Sequence, residues 1–256
     1  MNLKHLFFTI SGIFIFTEMH AQPDKKLELG DHPMFYATKT DTPIVVDGKM
    51  NERVWKNTPS TTLDYFYRVE KPEDKQQTTF RMLWDEKYVY LFYKMEDKFL
   101  NASETNRDGA PYFDDCAEIF LIPAPESLDT HFGFEINIYK ASNDFIFFND
   151  YYQNNHVVFN SFNPKFDVEV TYQGTLNDNS DIDQGWTMEL AIPLSSFGAF
   201  ANVVPIKEET QWAFILVRQD RNEKNESKRV TSTNFPIYDI SKTTHQPNHF
   251  GLLKFK

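Results

Sequence analysis

Cysteine is almost absent from this chain, which has a single one, Cys116, among 256 residues. One cysteine cannot form an internal disulfide, so we expect the hydrophobic core to hold the fold together. The lack of paired cysteines also argues against a zinc site built on thiolates. No cysteine follows the N-terminal cleavage position predicted below, so we expect no lipid anchor.

Long apolar runs are also missing after the first residues of the chain. The run at residues 6–16 is shorter than the ~20 residues that a membrane-spanning helix needs. It follows the basic start Lys4-His5 and precedes Ala21, a small residue of the kind that signal peptidase requires. We therefore predict a signal peptide at residues 1–21 and a secreted or periplasmic protein that does not span a membrane.

Positive charge is scarce, because 26 lysines and arginines face 37 acidic residues and give a net charge of −11. Such a chain repels phosphate backbones and anionic lipid surfaces, so nucleic acid is not an expected partner. A neutral ligand or a cation fits this charge better.

Aromatic residues are plentiful at 16% of the chain, and most of them fall in short runs separated by turn residues. This enrichment favours strands over helices. The predicted strands are 80–84, 88–95, 117–122, 132–139, 145–148, 166–172, 186–192, 212–218 and 252–255. Helical signals are limited to residues 51–56, with Asn51 as the cap and Trp55 facing inward, and to a turn at 193–197.

These patterns predict an all-β fold with few short helices. Residues 22–36 are polar without a clear period, so they are interpreted as an N-terminal tether. Residues 37–256 have the size of one β-sandwich of two antiparallel sheets, immunoglobulin-like or jelly-roll-like.

Strand alternation sorts the side chains of two neighbouring runs into two faces. The apolar faces predict a core between the sheets that contains Ile119, Leu121, Phe134 and Ile136, together with Trp84 and Trp186. The opposite faces place Glu118, Glu135, Asn137 and Tyr139 on an outward surface, in one patch if the strands are antiparallel neighbours. Carboxylates, an amide and an aromatic ring suit a sugar, although a solvated sheet face has the same composition.

Five segments, in order along residues 42–256, resemble the family 9 carbohydrate-binding modules. Residues 44–55 (IVVDGKMNERVW) and 81–90 (RMLWDEKYVY) are similar to the family's V-D-G-x-x-D/N-E-x-x-W and R-x-L-W/Y-D-x-x-Y-L-Y. Residues 112–120 (YFDDCAEIF), 185–193 (GWTMELAIP) and 245–251 (HQPNHFG) resemble W-x-x-D-x-V-E-I-F, G-W-x-x-E-x-A-I-P and P-x-x-F-G-x-L. The resemblance implies a sandwich of two antiparallel sheets without catalytic residues.

The resemblance also implies a place for the ligand, because family members clamp a terminal sugar between two tryptophans. The first clamp position falls on Tyr112, and the second falls near Thr244, where no ring remains. The family's glutamate corresponds to Glu118, its arginine on the following strand is replaced by Glu135, and Asn137 matches. The predicted ligand-binding residues are Tyr112, Asp115, Glu118, Glu135, Asn137, Arg218 and His245, the last two at the rim.

The predicted function is therefore secreted, non-catalytic binding of a poly- or oligosaccharide, at chain ends of the xylan or glucan type. Separate glycan-degrading enzymes are the partners expected to act with it. The sequence assigns no certain cofactor and no metal ligand.

One alternative is a glycoside hydrolase that uses Asp115, Glu118 and Glu135. Such enzymes place two carboxyl groups ~5–5.5 Å apart for retention or ~6.5–9.5 Å apart for inversion. Asp115 and Glu118 are an odd number of residues apart, so a regular strand points them to opposite faces.

A second alternative is a haem-binding, cytochrome-like sandwich with methionine and histidine ligands. Met82, Met95, Met188 and His245 are the candidates, although Met82 and Met188 lie on apolar faces that suit a core.

Structural calcium is the metal that best fits the acidic loop at residues 177–183. Asn177, Asp178, Asp181 and Asp183 offer oxygen ligands within this loop, and a solvated acidic loop has the same composition.

Overall fold

The computed structural model describes residues 32–67, 69, 71–125, 130–148, 157–198, 203–221, 229–239 and 241–256. The predicted signal peptide and residues 22–31 of the predicted tether lie outside these residues. Within the described part, the chain forms fourteen strands and one α-helix of five residues. None of its helices there has the length and apolar character needed to cross a membrane.

The helical elements are short. The α-helix is α1 (Arg53–Asn57), and single 3-10 turns occur at Pro72–Asp74, Pro111–Phe113, Leu194–Phe197 and Pro247–His249. The strands are β1 (Met34–Lys39), β2 (Thr61–Thr62), β3 (Tyr65–Tyr67), β4 (Thr78–Trp84), β5 (Tyr88–Met95), β6 (Cys116–Ile122), β7 (His131–Asn137), β8 (Ser142–Phe148), β9 (Val157–Phe159), β10 (Asp167–Gln173), β11 (Gly185–Pro193), β12 (Gln211–Arg221), β13 (Arg229–Thr233) and β14 (Gly251–Phe255).

The described strands form two sheets, and the predicted all-β sandwich is confirmed. The first sheet runs β14-β12-β6-β7-β8-β9, with β13 beside the end of β12 and β3 beside β13. The second sheet runs β10-β11-β5-β4, with β2 beside β4. All of these pairings are antiparallel.

Strand β1 joins the two sheets and is the parallel exception. Its first part pairs with β14 and its last two residues pair with β4, both in parallel. The strand begins at Met34, inside residues 22–36, so the end of the predicted tether belongs to the sandwich.

The nine predicted strands each overlap an observed one, and β5 has the predicted bounds. The five strands that were not predicted are β1, β2, β3, β9 and β13. Four of these have five residues or fewer, and short segments carry little periodic signal.

The core between the sheets contains every residue predicted for it. Trp84, Trp186, Phe134, Ile136, Ile119 and Leu121 are each at most 2% exposed and form one cluster. Burial of each large side chain stabilises the fold by ~1.5–3 kcal/mol. Met82 and Met188 belong to the same cluster and fill the core, as predicted.

The outer face of the first sheet is covered by protein. Phe120, Phe145 and Val217 point away from the main core and pack against Ile237 and Phe250 of the C-terminal segment, residues 234–250. This segment buries a face that strand alternation alone assigns to solvent.

The prediction that Glu118, Glu135 and Asn137 lie on an open surface is therefore wrong. They are 2%, 4% and 0% exposed, whereas Tyr139 is 42% exposed as expected. The two predicted neighbours are antiparallel as expected, with Glu118 opposite Glu135 and Cys116 opposite Asn137.

The outer face of the second sheet is covered by residues 44–57. Trp55 of α1 is fully buried there, as predicted, and packs against Phe92. The cap of α1 is Glu52 rather than Asn51, and its side chain makes no capping hydrogen bond. The segment is fixed by the buried Glu189, whose carboxylate accepts hydrogen bonds from Trp55 Nε1 at 2.8 Å and from the amides of Asp47 and Gly48.

Candidate binding pocket

A pocket opens on the outer side of the first sheet, where β12, β13 and β3 meet the C-terminal segment. It encloses about 450 Å³ of empty space, part of which is open to solvent. The residues that line it are Tyr67, Gln219, Arg229, Thr231, Ile237, Lys242, Thr243 and Thr244.

A chain of hydrogen bonds connects this pocket to the buried Glu118. The hydroxyl of Thr231 donates to Gln219 Oε1 at 2.8 Å, and Gln219 Nε2 donates to Glu118 Oε1 at 2.9 Å. Each donor and acceptor in the chain is fixed, so the pocket presents hydrogen-bonding groups that are already oriented.

Glu118 and Glu135 form a pair of buried acids behind the pocket. Glu135 Oε2 accepts a hydrogen bond from Asn143 Nδ2 at 2.7 Å. Burial raises the pKa of Glu118 to about 7. Burial, and then the charge of Glu118, raise the pKa of Glu135 well above its ordinary value. The positive charge of Arg229 opposes both pKa shifts, so this arginine lies within electrostatic reach of both carboxyls.

Tyr112 lies in the 3-10 turn Pro111–Phe113 beside the pocket rather than among its lining residues. Its half-buried ring contacts the Phe113 ring at a centroid distance of 4.8 Å. Arg229 Nη1 donates to the carbonyl oxygen of Tyr112 at 2.8 Å, and its guanidinium lies 5.8 Å from the Phe113 ring centre. Arg229 thus ties the turn to the pocket. Phe113, which the sequence analysis did not select, is the more exposed ring at 54%.

Arg218 and Asp115 are buried in another place. Arg218 is 1% exposed, donates from Nη2 to Asp97 at 2.6 Å, and lies 5.2 Å from the Trp186 ring centre. Carboxylate oxygens of Asp97, Asp115 and Asp220 lie within 4.8 Å of one another, and Arg218 supplies a cation to this cluster.

The predicted rim position of Arg218 is therefore wrong. The residue shares the inward face of β12 with Phe214 and Leu216, so the sandwich encloses it. Asp115 accepts hydrogen bonds from the amides of Asn101 and Arg221. Its carboxylate clusters with those of Asp97 and Asp220, whereas Glu118 is bound by Gln219, so the structure gives the acids of the hydrolase alternative different partners.

Asn137 is satisfied within the protein. Its Nδ2 donates to Asp114 Oδ2 at 2.7 Å and to the Glu104 carbonyl at 2.8 Å, while its Oδ1 accepts from the Ala141 amide. The residue thus holds the loop before β6, and its predicted place in an open ligand patch is wrong.

His245 is half-buried and anchors the C-terminal segment. Its ring stacks on Phe120 at 4.6 Å, and its Nδ1 lies 3.0 Å from His131 Nε2. Burial lowers the pKa of His245 to about 3 and that of His131 well below its ordinary value. The neighbouring Thr243 and Thr244 line the pocket. His245 therefore helps to position these two threonines in the pocket wall.

Residues 46–256 match the carbohydrate family 9 binding domain-like family. The chain belongs to this family. One relative, the exoglucanase XynX of Acetivibrio thermocellus, is 26% identical over 158 residues, which span 59% of this chain and 12% of that enzyme.

Solved structures share the fold. A family 9 carbohydrate binding module from Caldicellulosiruptor kristjanssonii, in complex with glucose, superposes with a TM-score of 0.61 at 17% identity, covering 87% of this chain and 95% of that one. The complex of a family 9 module from the same organism with cellotriose also gives 0.61 at 17% identity, over 87% and 93%. A candidate carbohydrate-binding protein from Bacteroides uniformis gives 0.65 at 17% identity, over 88% and 100%.

In this family 9 domain, two positions implied by the resemblance meet at the pocket. Thr244, near the second clamp position, lines the pocket, and Glu118 is linked to it through Gln219. Glu135 replaces the arginine implied on β7, and Arg229 of β13 brings a guanidinium near both glutamates instead.

The haem alternative lacks converging ligands in this domain. Met82, Met95 and Met188 lie in the core between the sheets, whereas His245 packs on the outer face of the first sheet. The first sheet therefore lies between the three methionines and His245.

Side-chain oxygens of the acidic loop between β10 and β11 accept hydrogen bonds from other groups of the protein. Asp183 accepts hydrogen bonds from the amides of Leu100 and Thr175, and Asn177 accepts one from the Ala102 amide. Asp178 and Asp181 accept from Ser180 and Thr175. Calcium binding in this loop stays a prediction.

Proposed function

We propose that this protein is a secreted, non-catalytic carbohydrate-binding protein that holds the end of a poly- or oligosaccharide in the pocket beside Gln219. One observation carries the proposal: the pocket unites the second clamp position, Thr244, with a fixed hydrogen-bond chain to Glu118. The relatives in complex with glucose and cellotriose support this class of ligand.

The lining groups suit a pyranose. Gln219, Thr231, Thr243 and Thr244 present amide and hydroxyl groups to sugar hydroxyls. Tyr67 adds an aromatic ring to the wall, and its hydroxyl is fixed by a hydrogen bond from the Ile237 amide. Sugar C–H groups pack on such rings.

The expected affinity is modest. Stacking of one sugar face buries ~70 Å² of apolar surface, which is worth ~2 kcal/mol at ~25 cal/mol per Å². A hydrogen bond between a sugar hydroxyl and a charged lining group, Arg229 or Lys242, adds ~1.5–3 kcal/mol. The sum of ~3.5–5 kcal/mol, before association costs, corresponds to roughly millimolar binding of a single terminal sugar.

The site is proposed to bind rather than to cut. Glu118 and Glu135 are buried and hydrogen-bonded to amide side chains, and Asp115 is held elsewhere by backbone amides. Separate glycan-degrading enzymes would then act on the bound chain. Purified protein should release no reducing sugar from xylan or cellulose. Turnover that disappears in Glu118→Gln would instead establish an enzyme.

Calorimetry with glucose, cellotriose and xylotriose tests the pocket. Gln219→Ala removes the link between the pocket and Glu118, and Tyr112→Ala removes the adjacent ring, so each should weaken binding about tenfold, or ~1.4 kcal/mol. The control is Tyr172→Ala, an exposed tyrosine on β10 of the other sheet, which should bind as wild type does. Wild-type affinity in both folded pocket variants would move the site elsewhere.

A further inference from the structure

We propose that the pocket selects an acidic sugar, with the carboxylate of a terminal uronic acid held by Arg229 and Lys242. This inference rests on the proposed function and names its ligand class. The first supporting observation is that the charged lining residues have the opposite sign to the net charge of the chain. The protein carries a net charge of −11, yet the charged side chains among the described lining residues are Arg229 and Lys242, both cationic.

Among the described residues, the acidic groups that neighbour the pocket do not cancel the positive charge of Arg229 and Lys242. Glu118 and Glu135 are 2% and 4% exposed and lie behind Gln219 rather than on the pocket surface. Asp239 pairs with Lys242 at 3.0 Å, but both side chains are about 40% exposed, and such surface pairs are weak and exchange readily with water. A ligand carboxylate can therefore compete for Lys242.

Arg229 is preorganised for a carboxylate. One of its N–H groups is used by the Tyr112 carbonyl, and its guanidinium lies near the Phe113 ring. These contacts fix the plane of the guanidinium at the pocket edge. A planar guanidinium has five N–H donors, and pairs of them match the two oxygens of a carboxylate.

The loss of the second clamp ring gives a reason for preferring an acidic sugar to a neutral one. Thr244 cannot stack on a sugar ring, so a neutral sugar loses one of its two apolar contacts. Charge-assisted hydrogen bonds are roughly twice as strong as neutral ones, and they restore both affinity and orientation. A neutral sugar of the same shape can accept hydrogen bonds from the two cations through its hydroxyls, but it carries no charge to pair with them.

Matched sugar pairs test the inference by calorimetry with the full chain. The pairs are galacturonic acid against galactose and glucuronic acid against glucose, each as the monosaccharide and as the trisaccharide. We expect the acidic member to bind at least tenfold more tightly at low salt. The preference should shrink at 0.5 M NaCl, because salt screens exposed charges.

Variants assign the effect to the two cations. Arg229→Gln and Lys242→Gln should each reduce the preference for the acidic member at least threefold. The matched control is Lys140→Gln, which removes a lysine from a surface ion pair with Glu169 and should keep the full preference. Lys242 lies in an exposed turn, so its variant tests the idea even if Arg229→Gln fails to fold.

The outcomes are distinct. Equal or tighter binding of the neutral sugars overturns the acidic-sugar inference and leaves the proposed function standing. An acidic preference that survives in both folded variants also overturns it. If neither member of any pair binds while cellotriose or xylotriose does, the acidic-sugar inference is overturned and the proposed function stands; if none of these sugars binds, the proposed function itself fails.

Discussion

At the scale of residues, burial sets the chemistry of Glu118. Its folded pKa is raised to about 7, chiefly by burial, from an ordinary value near 4.5. A raised pKa means that the folded state holds the proton more tightly than the unfolded state does. The associated stability is complete below pH ~4.5 and is lost as the pH rises to about 7.

Glu118→Gln should therefore flatten the pH dependence of stability. The amide stays neutral and its oxygen can still accept from Gln219, so the variant should gain on the order of 3 kcal/mol relative to wild type between pH 4.5 and 8. Urea denaturation across this range measures the difference. The control Glu86→Gln changes a side chain that is 79% exposed and should shift by less than ~0.5 kcal/mol. A constant difference between Glu118→Gln and wild type at all pH values would contradict this account.

At the scale of elements, the segment 44–57 depends on one carboxylate. Glu189 accepts hydrogen bonds from the Trp55 indole and from the backbone amides of Asp47 and Gly48. Asp47, Gly48 and Trp55 belong to the motif at residues 44–55, and Glu189 belongs to the motif at residues 185–193. These two motifs therefore stabilise the fold. The same carboxylate joins the two motifs and seals the outer face of the second sheet.

Glu189→Ala should leave these three donors without their acceptor and destabilise the fold by at least ~3 kcal/mol. The matched control is Glu169→Ala, because Glu169 lies directly opposite Glu189 on β10 and its carboxylate makes an exposed ion pair with Lys140. It should cost less than ~1 kcal/mol. The urea midpoints of the two variants provide the comparison, and equal midpoints would refute the role of Glu189.

At the scale of the whole molecule, the two sheets should unfold together. They share one core cluster and are joined along β1, which pairs with β14 in the first sheet and β4 in the second. Neither sheet keeps its inner face buried without the other. We expect fluorescence and far-UV circular dichroism to report a single transition.

Ile119→Ala tests this shared core. The residue is 1% exposed, so the substitution should cost ~2–5 kcal/mol and move both signals to the same lower urea midpoint. Ile182→Ala is the control, since that side chain is 75% exposed, and it should change stability by less than ~0.5 kcal/mol. Two separated transitions in Ile119→Ala would show that the sheets unfold independently.

Much of the fold was predictable because strand periodicity is a local property. The runs around Trp84, Ile119 and Phe134 carry alternating apolar residues whose partners in the core need not be known in advance. Short strands such as β2 and β3 were not predicted because two or three residues cannot establish a period. The parallel strand β1 escaped because its pairing depends on β14 and β4, which lie far from it along the chain.

The sequence by itself determined the β class, the inward faces of the long strands and, through five ordered motifs, the family. Tertiary structure alone decided which outward faces meet water. Glu118 and Asn137 alternate away from the core, yet the C-terminal segment and neighbouring loops bury them. Gln219, Thr231 and Arg229 form the pocket with Thr244 only because β13 pairs beside β12 and the C-terminal segment folds back over their outer face. The physical reason is that alternation reports one strand and its two faces, whereas a pocket depends on contacts between segments distant along the chain.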